Sequence, residues 1–295
     1  MNAIDKQKRI DFYLSKIDAI PSLPSVVIEL IKLIDNPMTS TGQIEALLAR
    51  DQGLAIKALR LANSAFYAIP GGASTLKRAI TYLGFTTIKQ LVVAASVFDV
   101  FKKLDSPQFN LTEFWKHSVA TAIVSELIAR HLKMSGSDEI FICGLIHDVG
   151  KFALLMIDKE DFLKTCAFAK GKNLTFYQAE MERAAPSHTY WGAVLAKKWH
   201  LPPLLQSAIK DHHSPNHKLR TVQSVEFNQI VDVVFLANQL IHNFAFGNSG
   251  YDSIPAINEE ILTRLNLKLN NSEPWLIQAK ESLNQAESMV QELTA

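Results

Sequence analysis

Apolar positions recur along the chain every three or four residues, and sustained two-residue alternation, the mark of a half-buried strand, is missing. In SVVIELIKLID, Val27, Leu30, Ile31 and Ile34 fall on one helical face, and SLPSV before it supplies a proline stop and a cap at Ser25. NPMTSTGQIEALLA predicts a turn and a new helix, with Ser40 and Gln43 at capping-box spacing. GLAIKALRLANSAF keeps Leu54, Ala58, Leu61 and Ala62 in helical register. YAIPGGAST, built of glycine, proline and small polar residues, is a loop. LKRAITYLG and TTIKQLVVAASVFDVF predict two further helices, the second apolar enough to be buried. The fold expected is all-α.

KKLDSPQFN is polar and carries a proline. It marks the expected boundary between an N-terminal helical lobe, residues 1–104, and a second helical lobe, residues 105–247. GNSGYDSIP then leads into a C-terminal helical extension, residues 248–295.

Composition changes this picture little. With 295 residues, 48% of them hydrophobic and 20% charged, the chain has the make-up of a soluble protein with a sizeable core. A net charge of +1 disfavours a dedicated nucleic-acid binder. TLKRAITYLGFTTIKQLV does have a helix–glycine–helix rhythm beside Lys77, Arg78 and Lys89, but its apolar second helix suits packing better than a DNA groove. The two cysteines, Cys143 and Cys166, read as reduced thiols of a cytoplasmic protein. The N-terminal stretch MNAIDKQKRIDFYLSKI is amphipathic and lacks the apolar run of a signal peptide. No apolar segment reads as long enough to span a bilayer, so no membrane is expected.

Chemistry concentrates in the second lobe. Five of the nine histidines and one aspartate stand at helix-compatible places there: His117, His147, Asp148, His188, His212 and His213. His117 shares a face with Thr121, Val124 and Ile128 and should point inward. Glu113, one turn earlier, can hold it as a structural pair or join it at a metal. His147-Asp148 follows the apolar run IFICGLI, and an ionised aspartate there needs a cation or strong hydrogen bonds. Lys151 can face the same site or make a plain surface ion pair with Asp148. Adjacent His212 and His213 diverge by about a quarter turn, which suits two ions, or an ion and a substrate. In DHHSPNHK they can also be a polar helix end. Histidine nitrogens mixed with carboxylate oxygens hold Zn, Fe, Mn or Co, and one or two such divalent ions can polarise a phosphoryl group.

The order of these residues resembles the HD superfamily of metal-dependent phosphohydrolases. IPSLPSVVIELIKLI, LLARDQGLAIKALRLANSAFY, STLKRAITYLGFTTIKQLVVAAS, EFWKHSVATA and SHTYWGAVLAKKWHLPPLLQSAIKDHHSP together resemble an HDOD domain, the HD-related output domain of bacterial signalling. The resemblance implies an HD-like helical fold with an additional N-terminal lobe, and a signalling role in which a partner protein supplies the input. It implies metal ligands at His117, His147, Asp148, His188, His212 and His213, and a further carboxylate at Glu113. Asp148 and Lys151 would carry any hydrolysis of a nucleotide or phosphoester, the lysine through a phosphate contact. Two departures stand out. Asn238 occupies the place of the last carboxylate, where Asp232 lies on another face and His242 on the right one. After His212-His213 comes SPNHK rather than Gly-Tyr-Pro, so the loop of the HD-GYP cyclic-dinucleotide phosphodiesterases is absent. No receiver, kinase or GGDEF-like segment is recognisable, so a stand-alone output protein is expected.

Overall fold

The computed structural model describes residues 3–294 except 35–37, 65, 103, 105–108, 135–138, 252 and 271–272. Among the described residues, sixteen α-helices form and no β-strand is present. The N-terminal part comprises α1 (Ala3–Ile17), α2 (Ser25–Ile34), α3 (Thr41–Leu48), α4 (Gln52–Ala62) and α5 (Leu76–Phe101). The central part comprises α6 (Leu111–His131), α7 (Ile140–Ile146), α8 (Val149–Ile157), α9 (Lys159–Lys172), α10 (Phe176–Glu182), α11 (His188–Lys198), α12 (Pro203–Asp211) and α13 (Val225–Asn243). After it come α14 (Glu259–Arg264), α15 (Pro274–Glu281) and α16 (Leu283–Thr294). Most of the segment expected to separate the first two lobes, residues 103 and 105–108, lies outside the described residues.

Local sequence signals account for the elements. Val27, Leu30 and Ile31 are buried as their spacing requires; the side chain of Ile34 lies outside the described set. Helix α2 begins at Ser25 itself, and the carbonyl of Pro24 accepts from Val27 N–H, so the serine is the first helical residue rather than the cap. Ser40 and Gln43 form both halves of the capping box at α3. Leu54, Ala58, Leu61 and Ala62 are buried on α4. The two helices expected after the loop are joined as α5, broken at Gly84, whose φ of 79° only glycine adopts readily.

Among the described residues two stretches are, contrary to expectation, apolar and long enough to cross a membrane by composition: Leu76–Phe101, in which 18 consecutive residues have a mean hydropathy of 1.4, and Ile140–Ile157, mean hydropathy 1.9. Both are core. The first is interrupted at Gly84, and 61% of those 18 residues are buried; the second carries His147, Asp148 and Lys151 and is 94% buried. The cations that suggested DNA binding are largely occupied. Lys89 is buried against Glu139 at 3.2 Å, and Arg78 donates to the carbonyls of Gly72 and Pro70.

The parts interlock. Helix α6 packs on α7, α13, α15 and α16, and α16 also reaches α4. Helix α1 lies on α8, with Tyr13 against Trp191 of α11 at 5.1 Å. Lys198, the last residue of α11, donates to the carbonyls of Ile17, Asp18 and Ile20, closing the free carbonyl end of α1. The loop at 247–251 folds back so tightly that a Cβ on Gly247 would overlap the backbone of α6 at Glu113 and His117.

Candidate metal centre

The buried helices α7 and α8 are separated by two residues, His147 and Asp148. Asp148 occupies the N-cap position of α8 but makes no side-chain cap. Its carboxylate turns inward, with Oδ2 2.6 Å from Lys151 Nζ. Burial pushes the Asp148 carboxyl up, but Lys151 above all, and then His147, outweigh it and hold the group well below the usual carboxylate range.

Three imidazoles converge on that carboxylate, each oriented from behind. His147 Nδ1–H donates to Gly144 O at 2.7 Å, and His212 Nδ1–H to Ile209 O at 2.9 Å. His188 opens α11, where Glu180 of α10 accepts from its backbone N–H and from its Nδ1–H, both at 2.7 Å. A ring nitrogen facing an oxygen acceptor carries the proton, so each neutral imidazole keeps a bare lone pair on Nε2. Those nitrogens meet around the carboxylate. His188 Nε2 is 3.3 Å from His212 Nε2 and 3.3 Å from Asp148 Oδ1; His212 Nε2 is 3.4 Å from the same oxygen. His147 Nε2 is 3.4 Å from Asp148 Oδ2.

Ring nitrogens and a carboxylate packed this way call for a cation among them, a proton or a metal ion. A single proton satisfies one such contact, whereas a metal ion satisfies all of them. Ligand atoms ~2.1 Å from a shared ion stand ~3.0–3.4 Å from one another, the separations seen here. Asp148, His188, His212 and His213 bring ligand atoms within 4.8 Å of one another, as do His117, His147 and Asp148. The nitrogen–oxygen set fits a divalent transition ion. Burial drives His212 down to about 4, and burial with the neighbouring histidines drives His117 and His213 well below their ordinary value, so these rings are neutral and ligand-competent at neutral pH. His188 differs. Burial lowers it, but Glu180 and Asp148 together raise it above the ordinary value.

The remaining candidates divide. His117 is fully buried and neither ring nitrogen has a hydrogen-bond partner, so the structural pairing with Glu113 does not form. Glu113 stays at the surface, its carboxylate 3.2 Å from Lys116 Nζ, because the first turn of α6 emerges from the core; it joins neither group of ligand atoms. Lys151 is neither a surface pair nor free for a phosphate. It is 1% exposed, bonds Ser249 Oγ at 3.0 Å as well as Asp148, and lies over the rings of Phe176 and Tyr251. Asp232 faces elsewhere, bound by Arg220 and Arg264. His242 approaches the centre, its ring 4.4 Å from that of His117 and stacked on Tyr251 at 4.1 Å. Asn238 is buried with Oδ1 unpartnered, and lines a cavity of about 540 Å3 that opens on His212 and His213.

Glu180, Ser249 and Tyr251 were not visible as site residues in the sequence. Glu180 belongs to a different helix from His188, and the other two fall past residue 247, in a stretch that reads as a linker. One glycine sets the centre's geometry. A Cβ on Gly150 would overlap the His188 carbonyl and lie 2.8 Å from Gly192 N, so only glycine lets α8 and α11 meet here. Gly150→Ala is expected to cost at least ~3 kcal/mol of stability, read as a lowered urea midpoint at unchanged slope.

These features define an all-helical protein with a buried histidine–aspartate cluster able to hold metal. The HDOD domain family model matches residues 20–215, and the chain belongs to that family. An uncharacterized protein of Treponema pallidum (strain Nichols) is 26% identical over 244 residues; the match covers 81% of this chain and 45% of that protein, so the chain spans less than half the length of that curated relative. An HDOD domain protein of unknown function from Geobacter sulfurreducens shares the fold at a TM-score of 0.79 and 23% identity, over 97% of this chain and 98% of that one. A candidate phosphohydrolase from Shewanella amazonensis SB2B does so at 0.74 and 23%, over 96% and 98%. At these identities the likeness is one of fold.

Proposed function

We propose that this protein is a signalling protein whose HDOD domain holds a divalent transition-metal ion between Asp148, His188 and His212, with His147, His213 and His117 around it. The observation that carries the reading is the convergence of His188 Nε2 and His212 Nε2 on Asp148 Oδ1 at 3.3–3.4 Å. A regulatory role is supported by the coupling of the centre to the N-terminal lobe. The helix that begins at His188 ends at Lys198, which clasps the end of α1. Displacement of α1 by a partner protein would therefore act on the helix that carries a ligand.

Phosphoester hydrolysis is the second reading, favoured by the cavity that reaches His212 and His213. A bound ion would supply Lewis acidity and a water of lowered pKa. The chain would contribute Nε2 ligands oriented by Glu180, Gly144 and Ile209, and an Asp148 kept ionised by Lys151. Asn238 offers that cavity a neutral amide where a carboxylate would bind an ion more firmly, which favours sensing over turnover.

Metal analysis after reconstitution with Mn, Fe, Co or Zn tests the reading. At least one ion per chain is expected, with affinity at least ~100-fold lower in His188→Ala and His212→Ala. Wild-type protein that takes up none of these ions would end the proposal. Turnover of phosphomonoesters or phosphodiesters that His212→Ala abolishes would move the function to the second reading.

A further inference from the structure

The 540 Å3 cavity falls in the ~300–1,000 Å3 range of small-molecule sites. Among the described residues that line it, no lysine, arginine, aspartate or glutamate occurs. Two of its side-chain amides are committed. Gln178 Oε1 accepts from Thr175 N–H in the capping box of α10, and Gln239 bonds Asn258 N–H and Ala256 O. Asn238 is different, because its amide oxygen is buried and has no partner. An amide left unpaired in a cavity wall is costly unless a ligand completes it. The wall also has a flat aromatic part, where Tyr177 stacks on His213 with ring centroids 4.7 Å apart and planes within 15°.

Among the described residues, charge is confined to one end. Asp148 and Lys151 cancel each other at 2.6 Å, and Glu180 stands behind His188. A divalent ion in this setting leaves a small positive excess beside His212 and nothing to match a second or third phosphate further out. Each additional phosphate would lose hydration against an uncharged wall without gaining a cation.

We infer that the cavity binds a ligand with one phosphate group directed at the centre and a neutral, planar, hydrogen-bonding body against Asn238 and Tyr177. That is the class of a nucleoside monophosphate, with nucleoside polyphosphates excluded. An amide offers both a donor and an acceptor to the edge of a base, and an aromatic face accepts its plane. The inference rests on the metal reading above.

Calorimetric titration of metal-loaded protein with AMP, GMP, ATP and inorganic phosphate tests it, with metal content measured on the same samples. The better of AMP and GMP is expected to bind at least ~10-fold more tightly than ATP or phosphate, a margin equal to one or two hydrogen bonds. Asn238→Ala should remove about tenfold of that affinity and leave phosphate binding unchanged. Tyr177→Leu, at a partly exposed position, should act in the same direction without threatening the fold. Stoichiometric metal with monophosphates bound no better than phosphate, or with ATP bound as tightly as AMP, would overturn the inference and leave the metal reading intact. Protein that takes up no metal would overturn both.

Discussion

Replacing Asp148 by asparagine is expected to empty the centre and to weaken the fold together. Asp148 is the one residue shared by both groups of ligand atoms, His188–His212–His213 and His117–His147. Exchange of its carboxylate for an amide should lower metal affinity by more than the ~10–100-fold typical of losing a supporting residue. The same change strips Lys151 of its counter-ion. Lys151 is 1% exposed, and its other polar partner is the hydroxyl of Ser249. An uncompensated buried ammonium costs ~3–5 kcal/mol, or loses its proton. Urea unfolding of metal-free protein measures the second effect, and metal titration measures the first. The double variant Asp148→Asn/Lys151→Met should recover most of the stability and none of the metal binding. Recovery of neither would mean that the lysine is not the source of the loss. Undiminished metal uptake in Asp148→Asn would remove the aspartate from the ligand set.

Much of the fold was legible because burial follows periodicity. Val27, Leu30 and Ile31 on α2, and Leu54, Ala58 and Leu61 on α4, lie in the core where their spacing places them. The kinked α5 was legible as two helices because Gly84 breaks the helical run. His147, Asp148, His188 and His212 were legible by their order along the chain, and they do meet. What escaped depends on contacts between distant segments. Four-residue spacing brought Glu113 beside His117 on paper, but whether a turn is inside or outside the core is decided by what packs on it, and Lys116 holds that carboxylate at the surface. Glu180 precedes His188 by eight residues on a separate helix, so no periodicity joins them. Lys151 was expected to face a phosphate. Ser249 and Tyr251, about a hundred residues later, enclose it instead, and nothing near Lys151 in the chain encodes that.

Metal-free protein is expected to unfold at mildly acidic pH, with several protons taken up. His117, His212, His213 and His242 are all shifted down, first by burial: His212 to about 4, His242 to about 3, and the other two well below the ordinary value. In the unfolded chain the same groups titrate near ~6.5. Below that pH the unfolded state binds protons that the folded state refuses, so stability falls as pH falls. Four such groups give a limiting slope of ~5 kcal/mol per pH unit, large against a total stability of ~5–15 kcal/mol. His188 does not blunt the slope. Its raised pKa adds stability that is fully present below ~6.5 and is lost only as pH rises through its folded value. Asp148, shifted down, contributes stability that persists until pH falls below the ordinary carboxylate range, so its loss comes after that of the histidines. Urea midpoints measured in chelator from about pH 7 to about pH 5 should drop by several kcal/mol equivalents. The drop should begin at lower pH when a divalent ion is present, because protons must first displace it from His188 and His212. A flat profile in chelator would mean that the imidazoles accept protons while folded, and that the cluster is wet rather than sealed. Identical profiles with and without the ion would mean that these histidines do not hold it.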